Sequence, residues 1–495
     1  MINNAKNSDI VSGVGSDHSV VSLQLLCNES IRGKGYWKCN TMLLKHDSEF
    51  GLFIKEKIKE FKENHKESDC NPNIIWDAFK CTIRGYCIEY SARKKRQKYK
   101  VKKEVLDKIE HVKKRISDII ITHGNEAQDQ LADLTKELSN YENIIKEMED
   151  KETAGLIVRS RVRWVEEGER STKYFCNLEK RVGEKKVIRQ LRLQNNKIIG
   201  QKDEILSELH NFYSLLYTSE NDQNSLEKMS EFFNNMDIPQ IAETDKIKLN
   251  APVIKSEILA TLKAMSSNKT PGLDGLPVEF YIVFFNDIID LLLDMYNFSF
   301  TNSLLPQSLR HGVITLLPKK DKDSFLVKNY RPISLLNVDY KIIAKLFANR
   351  LKLSLHTIIK EDQQGFMPGR NISANIRSIV DMIEYTDIMK IPGTILLLDF
   401  EKAFDRVEHN FSIEVLKKFN LGNNFVQWIK TFYNERTSFV MNNGFFTEQI
   451  SMSRGIFQGC PISPLLFIIA IEVLGIAIRS SEYIKGIPVG NYEKS

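Results

Sequence analysis

An aspartate and a phenylalanine five residues apart, Asp399 and Phe404, have the types and spacing to do chemistry in this chain. Asp399 ends an apolar run that begins at Thr394, and such a run predicts a buried strand. An ionised carboxylate there is costly unless it is paired, and a divalent metal ion is a common partner. Nucleotidyl transfer needs such a carboxylate beside a triphosphate, and a wall that shapes the sugar pocket. The alternative is a strand end whose aspartate caps a turn.

Two further segments carry residues that suit a nucleotide. Lys319 follows an apolar run, and Arg331 precedes a proline, which favours an extended backbone. A rigid arginine fork on an extended segment suits a triphosphate, although a buried ion pair is the alternative. Gln458 and Gly459 lie in a turn that opens an apolar helix, and glycine permits close approach of the backbone to a ligand. A plain helix-entry turn would need the glycine but not the glutamine.

The elements that must position these residues belong to a long globular chain. It has 495 residues, 42% of them hydrophobic and 27% charged, which is typical of several folded domains. The net charge is +6, and residues 93–115 hold twelve Lys or Arg and only three acids. Such a block favours phosphate backbones, or it is a solvated helix face.

Other sequence features exclude some classes of protein. The seven cysteines are scattered without a CxxC pair, so neither a zinc site nor a disulfide framework is indicated. The polar start is not typical of a signal peptide. The apolar stretch 465–478 is too short for a membrane span and contains Glu472, so it predicts a buried helix.

Changes in pattern along the chain predict its organisation. Residues 1–26 end in an alternating strand and are too few for a core of their own. Heptad-like apolar runs on either side of Gly124 predict an antiparallel helical hairpin over 101–150. From Pro252 onward, short apolar runs alternate with helical patterns, which predicts an α+β domain.

In this order, the motifs resemble the reverse transcriptase of LINE-type (non-LTR) retrotransposons. The segments that carry the resemblance are 271–275, 330–336, 363–370, 398–405 and 458–467. The segment around Arg163 and Trp164 is similar to the family's region between endonuclease and polymerase, and residues 16–19 are similar to the last motif of its apurinic-type endonuclease.

The resemblance implies three regions. Residues 1–26 would be the C-terminal remnant of an endonuclease domain, and residues 27–240 a mainly helical, basic connecting region. Residues 250–495 would be the fingers and a partial palm of a right-hand polymerase.

The resemblance also implies roles for single residues. Asp399 would be catalytic and would bind Mg²⁺ together with the backbone carbonyl of Phe400. Phe404 would be the steric gate that selects deoxynucleotides. The triphosphate would bind Arg331 and Lys319, and the nucleotide and template base would contact Gln458 and Gly459. The residues that would contact nucleic acid are Arg370, Arg163, Trp164 and Lys173, and those of the endonuclease remnant are Asp17 and His18.

The implied reaction is RNA-directed DNA polymerisation. A primer 3′-OH would attack the α-phosphate of a deoxynucleoside triphosphate on an RNA template with a DNA primer, and two Mg²⁺ ions would stabilise the attacking and leaving oxygens. No membrane is implied, the expected localisation is intracellular, in nucleus and cytoplasm, and the oligomeric state is open.

The sequence departs from the family in one respect. The family carries a second catalytic block, an aromatic-Ala-Asp-Asp turn, a short way past the region around 485–489, and no Ala-Asp-Asp occurs in this sequence. We therefore expect this chain to be a fragment or a decayed copy, with no measurable polymerase activity alone. The alternative function is a non-catalytic nucleic-acid-binding remnant of such an element.

Overall fold

The computed structural model describes residues 5–12, 19–25, 32–67, 69–123, 128–160, 187–221, 224–234, 236–489 and 492–494. These residues fall into two compact units. The first lies within Met1–Lys34 and Tyr86–Val187, and the second within Gly35–Gly85 and Ile188–Ser495. In this part of the chain, no helix is both long enough and apolar enough to cross a membrane.

The first unit holds a β-hairpin and two long helices. Its elements are strands β1 (Ala5–Ser12) and β2 (Ser19–Leu25), and helices α3 (Pro72–His123, from Tyr86 onward) and α4 (Gln128–Ser160). The strands pair antiparallel, with Ile10 opposite Val21.

Helices α3 and α4 run antiparallel to each other. Lys102 Nζ lies 3.1 Å from a carboxylate oxygen of Glu149, and Lys113 Nζ lies 3.4 Å from a carboxylate oxygen of Glu142. A later residue of α3 thus pairs with an earlier residue of α4, as antiparallel helices require. Both ion pairs are partly exposed and contribute little to stability. Apolar packing at heptad-like positions holds the helices together, and its buried residues are Val105, Val112, Leu134 and Ile145.

The second unit mixes helices and sheet, which confirms the α+β prediction. Its helices, besides the first turns of α3, are α1 (Thr41–His46), α2 (Ser48–Asn64), α5 (Lys202–Tyr217), α6 (Ser225–Asn234), α7 (Glu243–Leu249), α8 (Lys255–Lys263), α9 (Val278–Val283), α10 (Phe285–Asn302), α11 (Gln307–Arg310), α12 (Val338–Ile358), α13 (Ser373–Met389), α14 (His409–Lys418), α15 (Asn423–Tyr433) and α16 (Ser463–Arg479). Its strands are β3 (Leu191–Arg192), β4 (Ile198–Ile199), β5 (His311–Pro318), β6 (Tyr330–Leu335), β7 (Thr437–Asn442), β8 (Phe445–Phe446), β9 (Ile450–Ser451), β10 (Ile487–Val489) and β11 (Tyr492–Lys494). Its described residues also include two 3₁₀ turns, Val327–Asn329 and Ala403–Arg406.

The main sheet of the described residues has the strand order β6-β5-β7-β8, and β9 also pairs with β7. Strand β5 is antiparallel to β6 and parallel to β7, so the chain crosses over between β5 and β7 through the helices α12 to α15. The β5–β6 register places Leu317 opposite Arg331 and Pro318 opposite Tyr330. The end of this strand pair at Pro318 and Tyr330 therefore leads into the connection that begins with Lys319.

Helix α12 forms the centre of the core. Phe347 on this helix lies 5.3 Å from Trp428 and 6.3 Å from Phe432, measured between ring centroids, and both of these rings belong to α15. Aromatic side chains bury large areas, so this buried cluster stabilises the core. It packs α12 against α15, the first and last helices of the connection between β6 and β7.

A buried charged cluster joins the segment 35–85 to the rest of the second unit. Lys80 Nζ lies 2.7 Å from an oxygen of Asp339 and 3.3 Å from one of Asp274, and Trp76 Nε1 donates to Asp339 at 2.8 Å. Burial raises the pKa of Asp274 to about 6. The second unit thus includes residues before position 250 that the resemblance assigns to the connecting region. The contacts that hold them there join residues at least 194 positions apart, so the local sequence pattern does not reveal them.

The strand predicted from Thr394 to Asp399 does not form. The segment has no regular secondary structure, and its apolar side chains are exposed, with exposed fractions of 75% at Leu396 and 83% at Leu397. A strand needs a neighbour to satisfy its N–H and C=O groups, and within the described residues no other strand pairs with this segment.

Candidate active site

A small pocket of about 340 Å³ lies beside the end of the β5–β6 hairpin. Four predicted site residues meet in it, namely Lys319, Arg331, Phe404 and Gln458. They come from segments that are far apart in the chain. We name it the basic pocket, and its lining is Lys319, Tyr330, Arg331, Pro332, Lys402, Phe404, Asp405 and Gln458.

The β5–β6 hairpin positions the first two cations. The backbone N–H of Lys319 donates to the carbonyl of Asn329 at 2.9 Å, which extends the strand pairing by one residue. Arg331 is the second residue of β6, and its side chain is exposed. Arg331 is therefore presented to solvent and Lys319 is partly buried, and both line the basic pocket.

Lys402 adds a third cation that the sequence analysis did not identify. Its backbone has a φ of 53°, in the left-handed region, and the 3₁₀ turn Ala403–Arg406 starts directly after it. The buried Nζ has no hydrogen-bond partner in the described part of the chain, and it lies 4.9 Å from the centroid of the Phe212 ring. Burial lowers the pKa of this ammonium, and a cation–π contact offsets part of the cost.

Asp405 is the single carboxylate of the basic pocket. The Tyr217 hydroxyl donates to Oδ1 at 3.2 Å, and Gln458 Nε2 donates to Oδ2 at 3.2 Å. The side chain is only 2% exposed, and burial raises its pKa to about 6. Its contacts join α5, the 3₁₀ turn and the loop before α16.

Gln458 and Gly459 dock on strand β6. The Ser334 N–H donates to the Gln458 carbonyl at 2.8 Å. Gly459 has a φ of 121°, and a Cβ at this position would lie 2.7 Å from the Ser334 carbonyl oxygen. Only glycine fits here without strain. Gly459 therefore sets the path of the loop, whereas Gln458 is the residue that lines the basic pocket.

Phe404 forms an aromatic wall. Its ring stacks on Phe467 with 4.6 Å between centroids and meets the edge of Phe366 at 5.8 Å. The Phe404 carbonyl accepts a hydrogen bond from the Ile456 N–H at 2.8 Å. The ring is therefore packed against two other aromatic side chains at the edge of the basic pocket.

Asp399 and Phe400 line a larger open cleft of about 880 Å³. Phe467 also lines this cleft, so the stack of Phe404 on Phe467 separates it from the basic pocket. Asp399 is solvent-exposed and is not buried against a basic side chain. The remaining lining is Asn221, Ser225, Met229, Glu401, Ala403, Arg406, Val407, Glu408, Asn410, Phe411, Ala470 and Ile471.

The carboxylates of the open cleft do not complete a site for two metal ions. Asp399 and Glu401 are exposed, whereas Glu408 accepts a hydrogen bond from the Ser219 hydroxyl at 2.7 Å and pairs with Arg454. Throughout the residues that the structure describes, no group of three or more His, Cys, Asp or Glu could hold a metal ion. One-carboxylate ligation leaves most positions around Mg²⁺ to other ligands.

The remaining predicted site residues lie elsewhere. The Arg370 guanidinium donates to the carbonyls of Gln363 at 2.8 Å and Ile359 at 3.1 Å, so it clamps the loop after α12. Its donors are directed at the protein's own backbone, which leaves fewer of them for the predicted nucleic-acid contact. The other predicted residues lie outside the described part of the chain, and they are Arg163, Trp164, Lys173, Asp17 and His18.

The raised pKa of Asp405 makes stability depend on pH. A carboxylate whose pKa rises on folding contributes stability below its unfolded pKa, and this contribution is lost as pH rises through about 6. Lys402, Lys319 and the Tyr217 hydroxyl face Asp405, but they do not cancel the cost of burial. We expect Asp405→Asn to raise the free energy of unfolding at pH 7.5 by about 1–3 kcal/mol, with little change at pH 4.5. Urea unfolding at both pH values measures this.

An exposed residue provides the control for this substitution. Asp321 lies on the β5–β6 connection and is exposed. Asp321→Asn should therefore change the free energy of unfolding by no more than about 0.5 kcal/mol at either pH. A lower stability of Asp405→Asn at pH 7.5 would contradict the prediction.

The part of the chain that carries the basic pocket is similar to a known protein family. Residues 317–491 match the family described as reverse transcriptase (RNA-dependent DNA polymerase). This segment contains the whole lining of the basic pocket. It also contains Asp399 and Phe400 of the open cleft.

Similar proteins come from transposable elements. The chain is 32% identical over 476 residues to the "Transposon TX1 uncharacterized 149 kDa protein" of Xenopus laevis, covering 95% of this chain and 35% of that protein. It is 28% identical over 200 residues to the retrovirus-related Pol polyprotein of the type-1 retrotransposable element R2 of Nasonia vitripennis, which covers 40% of this chain and 18% of that protein. It is 26% identical over 226 residues to the probable RNA-directed DNA polymerase from transposon BS of Drosophila melanogaster, which covers 44% of this chain and 24% of that protein.

The chain spans about a third or less of the length of each of these relatives. The two that are named as a Pol polyprotein or a polymerase align with less than half of this chain. Residues 317–491 are therefore a reverse transcriptase domain, and the chain is similar to proteins of transposable elements.

Proposed function

We propose that the basic pocket binds the triphosphate of a deoxynucleotide, and that the chain is part of an RNA-directed DNA polymerase of the LINE type. The observation that carries the proposal is the meeting of Lys319, Arg331 and Lys402 in one pocket with Gln458 and the Phe404 wall. Lys319 and Arg331 come from the end of the β5–β6 hairpin, and Lys402 comes from the residue before the 3₁₀ turn Ala403–Arg406. Like charges repel one another, and a polyanionic ligand would account for their meeting.

The charges of the basic pocket suit this ligand. Arg331 presents a planar fork that matches two phosphate oxygens, and Lys319 adds a mobile point charge. The buried Lys402 has no acceptor in the described protein, so an incoming anion would stabilise its charged form. Phe404 would lie against the sugar, where a ribose 2′-OH would collide with the ring.

Within this proposal, the β5–β6 hairpin and the helices around it correspond to the fingers. The segment from Asp399 to Arg406, together with α16, corresponds to part of the palm. The partners are an RNA template, a DNA primer and deoxynucleoside triphosphates. We further propose that residues 1–26 derive from an endonuclease, with Asp17 and His18 as its active-site residues, and that the protein acts in the nucleus after synthesis in the cytoplasm.

Mg²⁺ is the proposed cofactor, with Asp399 and the Phe400 carbonyl as its ligands in this chain. The described residues do not supply the further carboxylates that a two-metal site needs. We therefore propose that the 495-residue chain binds nucleotide but does not polymerise.

Nucleotide binding tests the proposed function. A fluorescent dTTP analogue should bind the chain, and Arg331→Ala should weaken binding about ten- to a hundredfold, because a charge-assisted hydrogen bond contributes about 1.5–3 kcal/mol. Fluorescence anisotropy measures both affinities. The matched control is Arg189→Ala, since Arg189 is exposed in the same unit and does not line the basic pocket. Equal affinities of all three proteins would refute the proposal.

Primer extension tests the proposed inactivity. With Mg²⁺, an RNA template and a DNA primer, the chain should incorporate no measurable deoxynucleotide, because its described carboxylates do not complete a metal site. Incorporation that is lost in Asp399→Ala would contradict this and would show that the residues present suffice.

A second candidate function, nucleic-acid binding without catalysis, rests on helix α3. Its stretch from Arg93 to Arg115 holds twelve Lys or Arg against three acids, and many of these side chains are exposed. A charged helix face of this kind favours a phosphate backbone. The region that we propose to contact RNA, residues 93–175, includes this stretch as well as Arg163, Trp164 and Lys173.

The salt dependence of RNA binding tests the role of α3. The affinity of the chain for single-stranded RNA should fall as salt rises, because bound phosphates release counterions. Replacing the exposed Lys95, Arg96 and Lys103 by Gln should lower the slope of log K against log salt by about 2.

The matched control neutralises three exposed lysines of the second unit. These are Lys59, Lys66 and Lys248, each changed to Gln, and the slope should not change. An affinity that does not respond to salt, or equal slopes for the two triple variants, would exclude a contact through α3.

A further inference from the structure

Asp405 is the carboxylate of the basic pocket, and neither the sequence nor the family resemblance gives it a role. It is buried, and it lies between two donors, the Tyr217 hydroxyl and the Gln458 amide. A buried carboxylate is costly, so its presence in a pocket that collects cations needs an explanation. Its partners provide one.

The chemistry of the pair fixes the orientation of the Gln458 carboxamide. An ionised carboxylate can only accept hydrogen bonds. The group of Gln458 that faces Asp405 must therefore be the NH₂, which lies 3.2 Å from Oδ2 and 3.4 Å from Oδ1. If the carboxamide turned over, two oxygens would face each other. The carboxamide oxygen is thus held on the side away from Asp405.

The backbone of Asp405 is as firmly placed as its side chain. Its N–H donates to the Lys402 carbonyl at 2.8 Å, and a Cβ on Gly455 would lie 2.8 Å from the Asp405 carbonyl oxygen. The neighbouring Phe404 and Val407 carbonyls accept from the N–H groups of Ile456 and Gly455, each at 2.8 Å. The turn that carries Asp405 is thereby paired to the loop that carries Gln458.

Tyr217 fixes the carboxylate from the other side. It is the last residue of α5, its side chain is 3% exposed, and its carbonyl accepts from the N–H groups of Ser453 at 3.0 Å and Arg454 at 3.2 Å. Burial raises the pKa of its hydroxyl, so the hydroxyl keeps its proton and donates it to Asp405. Carboxylate, hydroxyl and amide form a chain of hydrogen bonds in which both neighbours donate to Asp405.

We propose that Asp405, held by Tyr217, is a positioning residue that orients the Gln458 carboxamide so that its oxygen is presented to the nucleotide as a hydrogen-bond acceptor. The proposal rests on the proposed function. It implies that Gln458 recognises a donor group of the nucleotide, a hydroxyl or an amino group, and does not bind a phosphate oxygen. The cations of the basic pocket are left to do that.

The orientation can be measured without a ligand. In the chain labelled with ¹⁵N-glutamine, the Gln458 side-chain amide is assigned by the loss of its NMR signal in Gln458→Met. Its protons should exchange with water at least about tenfold faster in Asp405→Ala than in the wild type, because a hydrogen bond worth about 1.5 kcal/mol or more is lost. An unchanged exchange rate, in a variant whose far-UV circular dichroism matches the wild type, would overturn the proposal.

A reciprocal exchange of side chains tests the consequence for binding. Asp405→Asn lets the Gln458 amide turn over, and Gln458→Glu places two carboxylates together. Each should weaken binding of a fluorescent dTTP analogue at least about tenfold. In the double variant, the amide introduced at position 405 donates to the carboxylate introduced at position 458, and the total charge is that of the wild type. Its affinity should therefore return to within about threefold of the wild-type value.

The outcomes separate this proposal from the proposed function. If the wild type binds dTTP but the double variant binds no more tightly than the weaker single variant, the positioning role is wrong and the nucleotide site stands. If the wild type binds no dTTP while Asp405 still slows the amide exchange, the orientation stands and the proposed function fails. Recovery in the double variant would show that the pairing of positions 405 and 458, and not the carboxylate at position 405 by itself, sets the affinity.

Discussion

Two backbone hydrogen bonds hold the basic pocket together. The Ser334 N–H donates to the Gln458 carbonyl, and the Ile456 N–H donates to the Phe404 carbonyl, each at 2.8 Å. One loop is thereby fixed to strand β6 and to the turn that carries the aromatic wall. The bonded residues are far apart in sequence, and the two bonds place the loop that carries Gln458 beside β6 and beside the turn that carries Phe404. Backbone pairing needs no particular side chain, so the side chains of Gln458 and Asp405 are available to pair with each other.

Residue types and local spacing predicted much of this pocket. Pro332 after Arg331 favours an extended backbone, and β6 is a strand; the apolar stretch from Leu465 onward forms the buried helix α16. The roles given to Lys319, Arg331, Phe404 and Gln458 came from a resemblance, and the structure places all four in one pocket. Those roles themselves stay predictions, as does the role of Asp399.

What the sequence could not predict depends on distant contacts. Lys402 and Asp405 were visible in the same motif, but their burial comes from α5, nearly 190 residues earlier in the chain. The buried cluster of Lys80 and Asp339 gives no local signal either, because a lysine in a helix is usually solvated. For the apolar run before Asp399, the local pattern predicts a buried strand, but the segment is exposed. A strand forms only where another strand pairs with its backbone groups, and no strand of the described residues does so here.

We propose that a polyanionic nucleotide binds the three cations of the basic pocket. An experimental structure of the chain with bound dTTP tests this most directly. We predict phosphate oxygens within hydrogen-bonding distance of Arg331 and Lys319, and the sugar against Phe404. A structure with the triphosphate bound away from these residues and the basic pocket empty would contradict the account.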